Sequence, residues 1–206
     1  MDNSLRPIRI VGLVGASGSG KTTVACDLAE ALKSTCFLSQ DNYYRTLPDQ
    51  ADSKEWNFDD PAVIDLDHLA RDLAALKRGE SIEQPQYRFA DHRRAEETTP
   101  VHSAPLIIVE GLFLFVTPAL RDLFDVKIYI DVPQTVCLDR RIARDRAERG
   151  RTEEMIRQRW AEQVKPMFLK HIKPTRKFAD RITAFAPRGT SEYTAQLSEL
   201  FQALET

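Results

Sequence analysis

Residues 11–23 read VGLVGASGSGKTT, and this stretch decides the fold. The run that contains its start, IRIVGLVG (8–15), is apolar and β-branched, which predicts a strand buried on both faces. From Lys21 to Lys33 the apolar positions Val24, Leu28, Ala31 and Leu32 recur at helical spacing, so a helix follows. Between strand and helix, Gly15, Ala16, Ser17, Gly18, Ser19, Gly20, Lys21 and Thr22 have the spacing of a phosphate-binding loop, with Thr23 next. The glycines let backbone N–H groups curl round a phosphate without a Cβ clash. The helix N-terminus adds partial positive charge. Lys21 is the cation for β- and γ-phosphate oxygens, and Thr22 the hydroxyl for Mg²⁺. The loop implies a bound phosphate chain and leaves open what receives its last phosphoryl group.

Outward from the loop, TCFLSQD (35–41), PLIIVEG (105–111), VKIYIDVP (126–133) and DRITAFAPRG (180–189) read as further strands. Helices are predicted over 65–80, stopped by Gly79, over Gln134–Glu148, and over Glu153–Lys170 with a kink at Pro166; one more closes the chain. Residues 42–61 read as irregular, and 81–100 as irregular with a short edge hairpin. Strands alternating with helices mean an α/β fold with a mostly parallel sheet, read as one domain over residues 1–206 with an excursion at about 42–100.

The bulk properties narrow the class. The chain has 206 residues, 42% apolar and 29% charged, the balance of an ordinary globular protein. A net charge of −2 gives no global field toward nucleic acid. Cys26, Cys36 and Cys137 are scattered without a CxxC pair, so neither a disulfide framework nor a zinc site is expected, and a reduced cytoplasm fits best. The apolar N-terminal run passes straight into the glycine loop, which argues against a cleaved signal peptide. The run PLIIVEGLFLFV is too short to span a bilayer and contains Glu110, so no membrane is expected.

Three absences turn the loop toward a small-molecule kinase. There is no Asn-Lys-x-Asp to read guanine, no LSGGQ-like stretch, and the PLIIVEG strand ends in Glu110-Gly111 rather than Asp-Glu. Asp41 follows a short strand; if that strand neighbours the first, its carboxylate lies near the γ-phosphate and can take the proton of an attacking hydroxyl. A turn or capping aspartate is the other reading. Glu110 at a strand end could orient water on Mg²⁺ or be a buried structural acid. Asp59 and Asp60, in WNFDDP, could bind vicinal sugar hydroxyls or form an exposed acidic loop. Tyr87, Phe89 and His92 offer a surface on which a flat ring stacks, or plain packing. Arg140, Arg141, Arg144, Arg149 and Arg151 could form a lid over phosphates (140–160), bind RNA, or lie on a solvated helix balanced by Asp139, Asp145 and Glu148.

Taken together, GASGSGKTT, LSQDNYY, NFDDP, QYRFADHRRAEET, IIVEGLFLF, LFDVKIYIDVP, RRIARDRAERGR and VKPMFLKHIKPTRKFAD resemble the uridine–cytidine kinases of the phosphoribulokinase/uridine kinase group. The resemblance implies a P-loop NTPase-type sheet of five parallel strands with flanking helices, a β-hairpin excursion and an arginine-rich lid. It implies transfer of the γ-phosphoryl of ATP or GTP, with Mg²⁺, to the 5′-hydroxyl of uridine or cytidine, and a tetramer. By position it makes Asp41 the general base and puts Thr22 and Glu110 around the metal. Asp59 matches the ribose contact, Tyr87, Phe89 and His92 the base pocket, Arg141 and Arg151 the substrate side, and Arg144 and Arg149 the phosphates. Three departures stand out: Arg159 where the family has Gln, FDDP for FDHP, and a longer stretch after Asp180. Arg159 only donates hydrogen bonds, and it keeps open another acceptor: nicotinamide riboside, a sugar phosphate or pantothenate. A nucleotide-dependent regulatory protein without catalysis is the remaining alternative.

Overall fold

The computed structural model describes residues 7–32, 34–51 and 56–205. Lys33, the expected end of the first helix, lies outside the described residues. The central strand β1 (Arg9–Gly15) pairs in parallel with β5 (Leu106–Gly111) on one side and β6 (Val126–Ile130) on the other. β2 (Thr35–Ser39) pairs outside β5, and β7 (Arg181–Thr183) outside β6, giving the all-parallel order β2-β5-β1-β6-β7. β1 is buried at Ile10, Val11, Leu13 and Val14 alike, the two-sided burial that makes a central parallel strand read as a continuous apolar run.

This order corrects one expectation. β2 does not neighbour β1, because β5 lies between them. β7 is also shorter than the run 180–189 suggested: it pairs only through Thr183, and Ile182 is exposed at the sheet edge.

Helix α1 (Lys21–Ala31) packs on β5 and β2 and against the last helix, α7 (Ser191–Glu205). A buried polar contact reinforces that packing: Asp27 on α1 accepts hydrogen bonds from the Tyr193 hydroxyl and from Arg188 in the loop before α7. Helix α2 (Leu66–Lys77) buries Leu69, Leu73 and Leu76 and is capped by Asp65, whose carboxylate accepts from the His68 N–H at 3.2 Å. It ends where Gly79 takes φ +85°.

The hairpin is a sheet of its own rather than an edge of the main one. β3 (Ile82–Arg88) and β4 (Arg93–Val101) pair antiparallel around the tip 89–92, where His92 is left-handed at φ 56°. A short helix α3 (Pro118–Arg121) follows β5. Helix α4 (Gln134–Arg149) then stops at Gly150, φ 61°, and the chain turns into α5 (Glu153–Arg159). Beyond Arg159 the expected regular helix becomes two wide π turns, Trp160–Val164 and Phe168–Ile172, separated by the single turn α6 (Lys165–Met167). Pro166 and Pro174 explain both: each lacks an N–H and crowds the carbonyl four residues back, so the preceding turn widens instead of breaking. Among the described residues no helix is long and apolar enough to cross a membrane.

Candidate active site

In open parallel sheets the ligand crevice lies beyond the carboxyl ends of the strands. Here the carboxyl ends of β1, β2 and β5 open on a cavity of about 510 Å³. Its floor is the loop between β1 and α1. Gly18 and Gly20 take φ +83° and +91°, so side chains are strained there, and a Cβ on Gly18 would overlap the Cys137 carbonyl. Gly20 caps α1 with no side-chain hydrogen bond, which leaves the helix N–H groups free for an anion. Ser17, Lys21 and Thr22 line the cavity, whereas Ser19 is buried beside Gly15 with its hydroxyl unpaired.

Glu110, at the end of β5, is almost fully buried at 2% exposure below that floor. One carboxylate oxygen accepts from the Thr22 hydroxyl at 3.0 Å and the other from the Ser39 hydroxyl at 2.5 Å. Because the Thr22 proton points at Glu110, its oxygen lone pairs are left for a cation. Among the described residues no three His, Cys, Asp or Glu form a protein-only metal cage. Mg²⁺ beside phosphates takes few protein ligands, and this donor set fits that mode.

Asp41 reaches the same cavity although β2 is an edge strand. The turn Gln40–Tyr43 after β2 carries it forward, and the buried Gln40 anchors that turn by accepting the Phe113 N–H at 2.8 Å through its side-chain oxygen. Burial, and then the charge of Glu110, push the Asp41 carboxyl up to about 6, against the opposing pull of Lys21, Arg149 and Arg144. Asp41 and Lys21 therefore meet at one end of the cavity.

The other end is aromatic. Tyr44, Phe58, Phe89 and His92 line it. The His92 ring stacks on Phe58 at 4.4 Å, and Tyr44 packs on Tyr87 at 5.1 Å. Tyr87 lies behind the wall rather than in it, edge-on to Phe89 at 5.0 Å. Among the described residues the buried Tyr87 hydroxyl and His92 Nδ1 have no hydrogen-bond partner. Burial, with the charges of Arg151 and Arg159, holds His92 below its usual pKa and so neutral at pH 7.

Asp59 lines the same cavity, 3.4 Å from Arg141 Nη1, which also donates to the Ser17 hydroxyl at 2.8 Å. Arg144, Arg149 and Arg151 line the wall as well, and Arg140 instead ties α4 to the loop through the Ser19 carbonyl at 3.1 Å. Asp60 stays outside the cavity lining and caps the turn Pro61–Val63, accepting the Ala62 N–H at 2.8 Å. No role was assigned from the sequence to Tyr44, Phe58, Leu112 or Gln40, although each lies inside a quoted motif: Gln40 and Tyr44 in LSQDNYY, Phe58 in NFDDP and Leu112 in IIVEGLFLF.

The Phosphoribulokinase / Uridine kinase family matches residues 10–191. A uridine kinase of Borrelia duttonii (strain Ly) is 38% identical over 176 residues, 85% of this chain and 85% of that protein. A uridine kinase of Vibrio cholerae serotype O1 is 38% identical over 191 residues, 87% of each. The solved phosphoribulokinase from Rhodobacter spheroides superposes with a TM-score of 0.65 at 17% identity, over 90% of this chain and 74% of that one, a likeness of fold. With the phosphate loop, the aromatic segments of the cavity and the arginine helix all inside the matched span, the chain belongs to the phosphoribulokinase/uridine kinase family.

Proposed function

We propose that this protein is a nucleoside kinase that transfers the γ-phosphoryl of ATP or GTP to the 5′-hydroxyl of uridine or cytidine. The observation that carries the reading is the joining of two chemistries in one cavity: a phosphate loop with Asp41, and an aromatic shelf of Tyr44, Phe58, Phe89 and His92, with Asp59 lining the same cavity. The naming of relatives at 38% identity as uridine kinases supports it.

In this reading Lys21, the loop N–H groups, Arg144 and Arg149 hold the phosphate chain, and Thr22 with Glu110 provides the metal environment. Mg²⁺, when bound, neutralises charge on the transferring phosphoryl. Asp59 accepts hydrogen bonds from ribose hydroxyls, while Arg141 and Arg151 steady the substrate side. Phe89 and His92, backed by Tyr87, receive the base. Asp41 takes the proton from the attacking hydroxyl, which forms its bond to phosphorus in line with the departing nucleoside diphosphate.

The test is a coupled assay for release of the nucleoside diphosphate (ADP or GDP) with uridine, cytidine, nicotinamide riboside, sugar phosphates and pantothenate. Turnover is expected with the pyrimidine nucleosides, and Asp41→Asn should lower kcat by at least about a hundredfold while nucleotide binding stays within a few fold. Preference for a phosphorylated sugar would instead give Arg159, which lines the cavity, the role of an anion contact. No acceptor-dependent release at all would leave the non-catalytic alternative.

A further inference from the structure

Asp145 is fully buried on α4 and does not line the cavity, yet four side chains that do line it converge on its carboxylate. Oδ1 accepts from Arg144 Nε and Nη2 at 2.9 and 2.8 Å and lies 3.5 Å from Arg149 Nη1. Oδ2 accepts from Arg151 Nη1 at 3.1 Å and lies 3.6 Å from Arg141 Nε. The backbone joins in: the Asp145 carbonyl accepts the N–H groups of Gly150 and Arg151, which is how the left-handed turn returns Arg151 to the carboxylate the helix arginines already share.

A solvated helix whose acids balance its arginines, the ordinary reading of this segment, does not describe the arrangement. A carboxylate offers about four acceptor directions, and each guanidinium has five N–H donors. Asp145 can therefore anchor all four arginines while most of their donors stay directed elsewhere. Without the carboxylate the four cations would repel one another across a half-buried wall. Burial and the neighbouring guanidiniums already lower the proton affinity of Arg149 and Arg151. Burial alone would raise Asp145, but the charges of Arg144 and Arg149 outweigh it and hold its carboxyl below the ordinary range, so it is ionised. Arg144 and Arg149 line the same cavity as Asp41, and their charges oppose the rise of its carboxyl.

We propose that Asp145 is a positioning residue of this site, holding Arg144 and Arg149 from behind toward the transferring phosphoryl group and Arg141 and Arg151 toward the substrate side. The assignment rests on the kinase reading of the cavity. It requires that removing the Asp145 charge weaken the hold on the terminal phosphate more than the hold on the rest of the nucleotide. The experiment is calorimetric binding of Mg·ADP and of a non-hydrolysable Mg·ATP analogue to the full chain, with kcat measured in parallel. In Asp145→Asn, which keeps the side-chain size, the affinity for the triphosphate analogue relative to ADP should fall at least tenfold, and kcat should fall with it. Asp145→Glu keeps the charge with altered reach, and the ratio should fall by a smaller factor of at least twofold. A ratio within twofold of the unsubstituted protein, in whichever variant folds, overturns the proposal, as does equal loss of both nucleotides in step with a lowered melting temperature. Because nucleotide binding needs no acceptor, failure of the unsubstituted protein to phosphorylate nucleosides would overturn the kinase reading separately.

Discussion

At the scale of single residues, Asp41 is where stability and chemistry oppose each other. Its folded-state carboxyl titrates near 6, above the ordinary value of 3.8, because burial and Glu110 disfavour the charge. A carboxylate whose folded pKa is raised costs stability when ionised; the cost is present above about pH 6 and disappears as pH falls through 6 toward 4. Asp41→Asn should therefore raise the melting temperature of the ligand-free protein at pH 7.5, by clearly more than it does at pH 4.5, even as it removes turnover. For the unsubstituted enzyme the sign for activity is the reverse. Below about pH 6 the group is protonated and cannot take a proton, so kcat/KM for the nucleoside should fall tenfold per pH unit on the acid side. A profile flat down to pH 5 would exclude Asp41 as the base. Asp41 was legible as a candidate because a polar residue ending an apolar strand has a local signature. Its partners Gln40 and Ser39 were not, since their value depends on Phe113 and Glu110, about seventy residues away.

At the scale of elements, the loop 15–20 and the helix beyond Arg159 show two ways in which backbone chemistry sets shape. Gly18→Ala would place a Cβ against the Cys137 carbonyl at a φ of +83°. Left-handed strain and the clash together should cost about 1–3 kcal/mol, seen in denaturant melts, and should weaken nucleotide binding more than nucleoside binding. Gly150, also left-handed, has open space around it, so Gly150→Ala should cost only the strain of its φ, about 1 kcal/mol. The loop was readable because glycine spacing, strand and helix are adjacent in the chain. The π turns were only half readable: Pro166 announced a kink, but whether a helix breaks, bends or widens depends on what holds its two sides. Here Ile156, Trp160, Val164, Phe168 and Ile172 are buried and keep one face on the core.

At the scale of the molecule, the cavity is built from segments with no sequence proximity: the loop after β1, the turn after β2, the hairpin tip, Asp59 and α4. Gln40 joins the turn after β2 to the segment after β5, which carries Leu112 to the cavity. Removing its side chain in Gln40→Ala leaves the buried Phe113 N–H without an acceptor, which should cost about 1–3 kcal/mol in thermal or denaturant unfolding. It should also lower kcat, since Asp41 loses its anchored turn. The sequence by itself determined the phosphate loop, the five apolar strands, the α/β class and the carboxylates and aromatics worth watching, because each is written in spacing between near neighbours. Only the tertiary structure decided that β5 separates β2 from β1, that the hairpin is a sheet of its own, and that Asp145 lies buried under four arginines instead of balancing them in solvent. Those outcomes depend on which strand pairs with which and which face a helix turns inward, and the contacts responsible join residues that the chain keeps far apart.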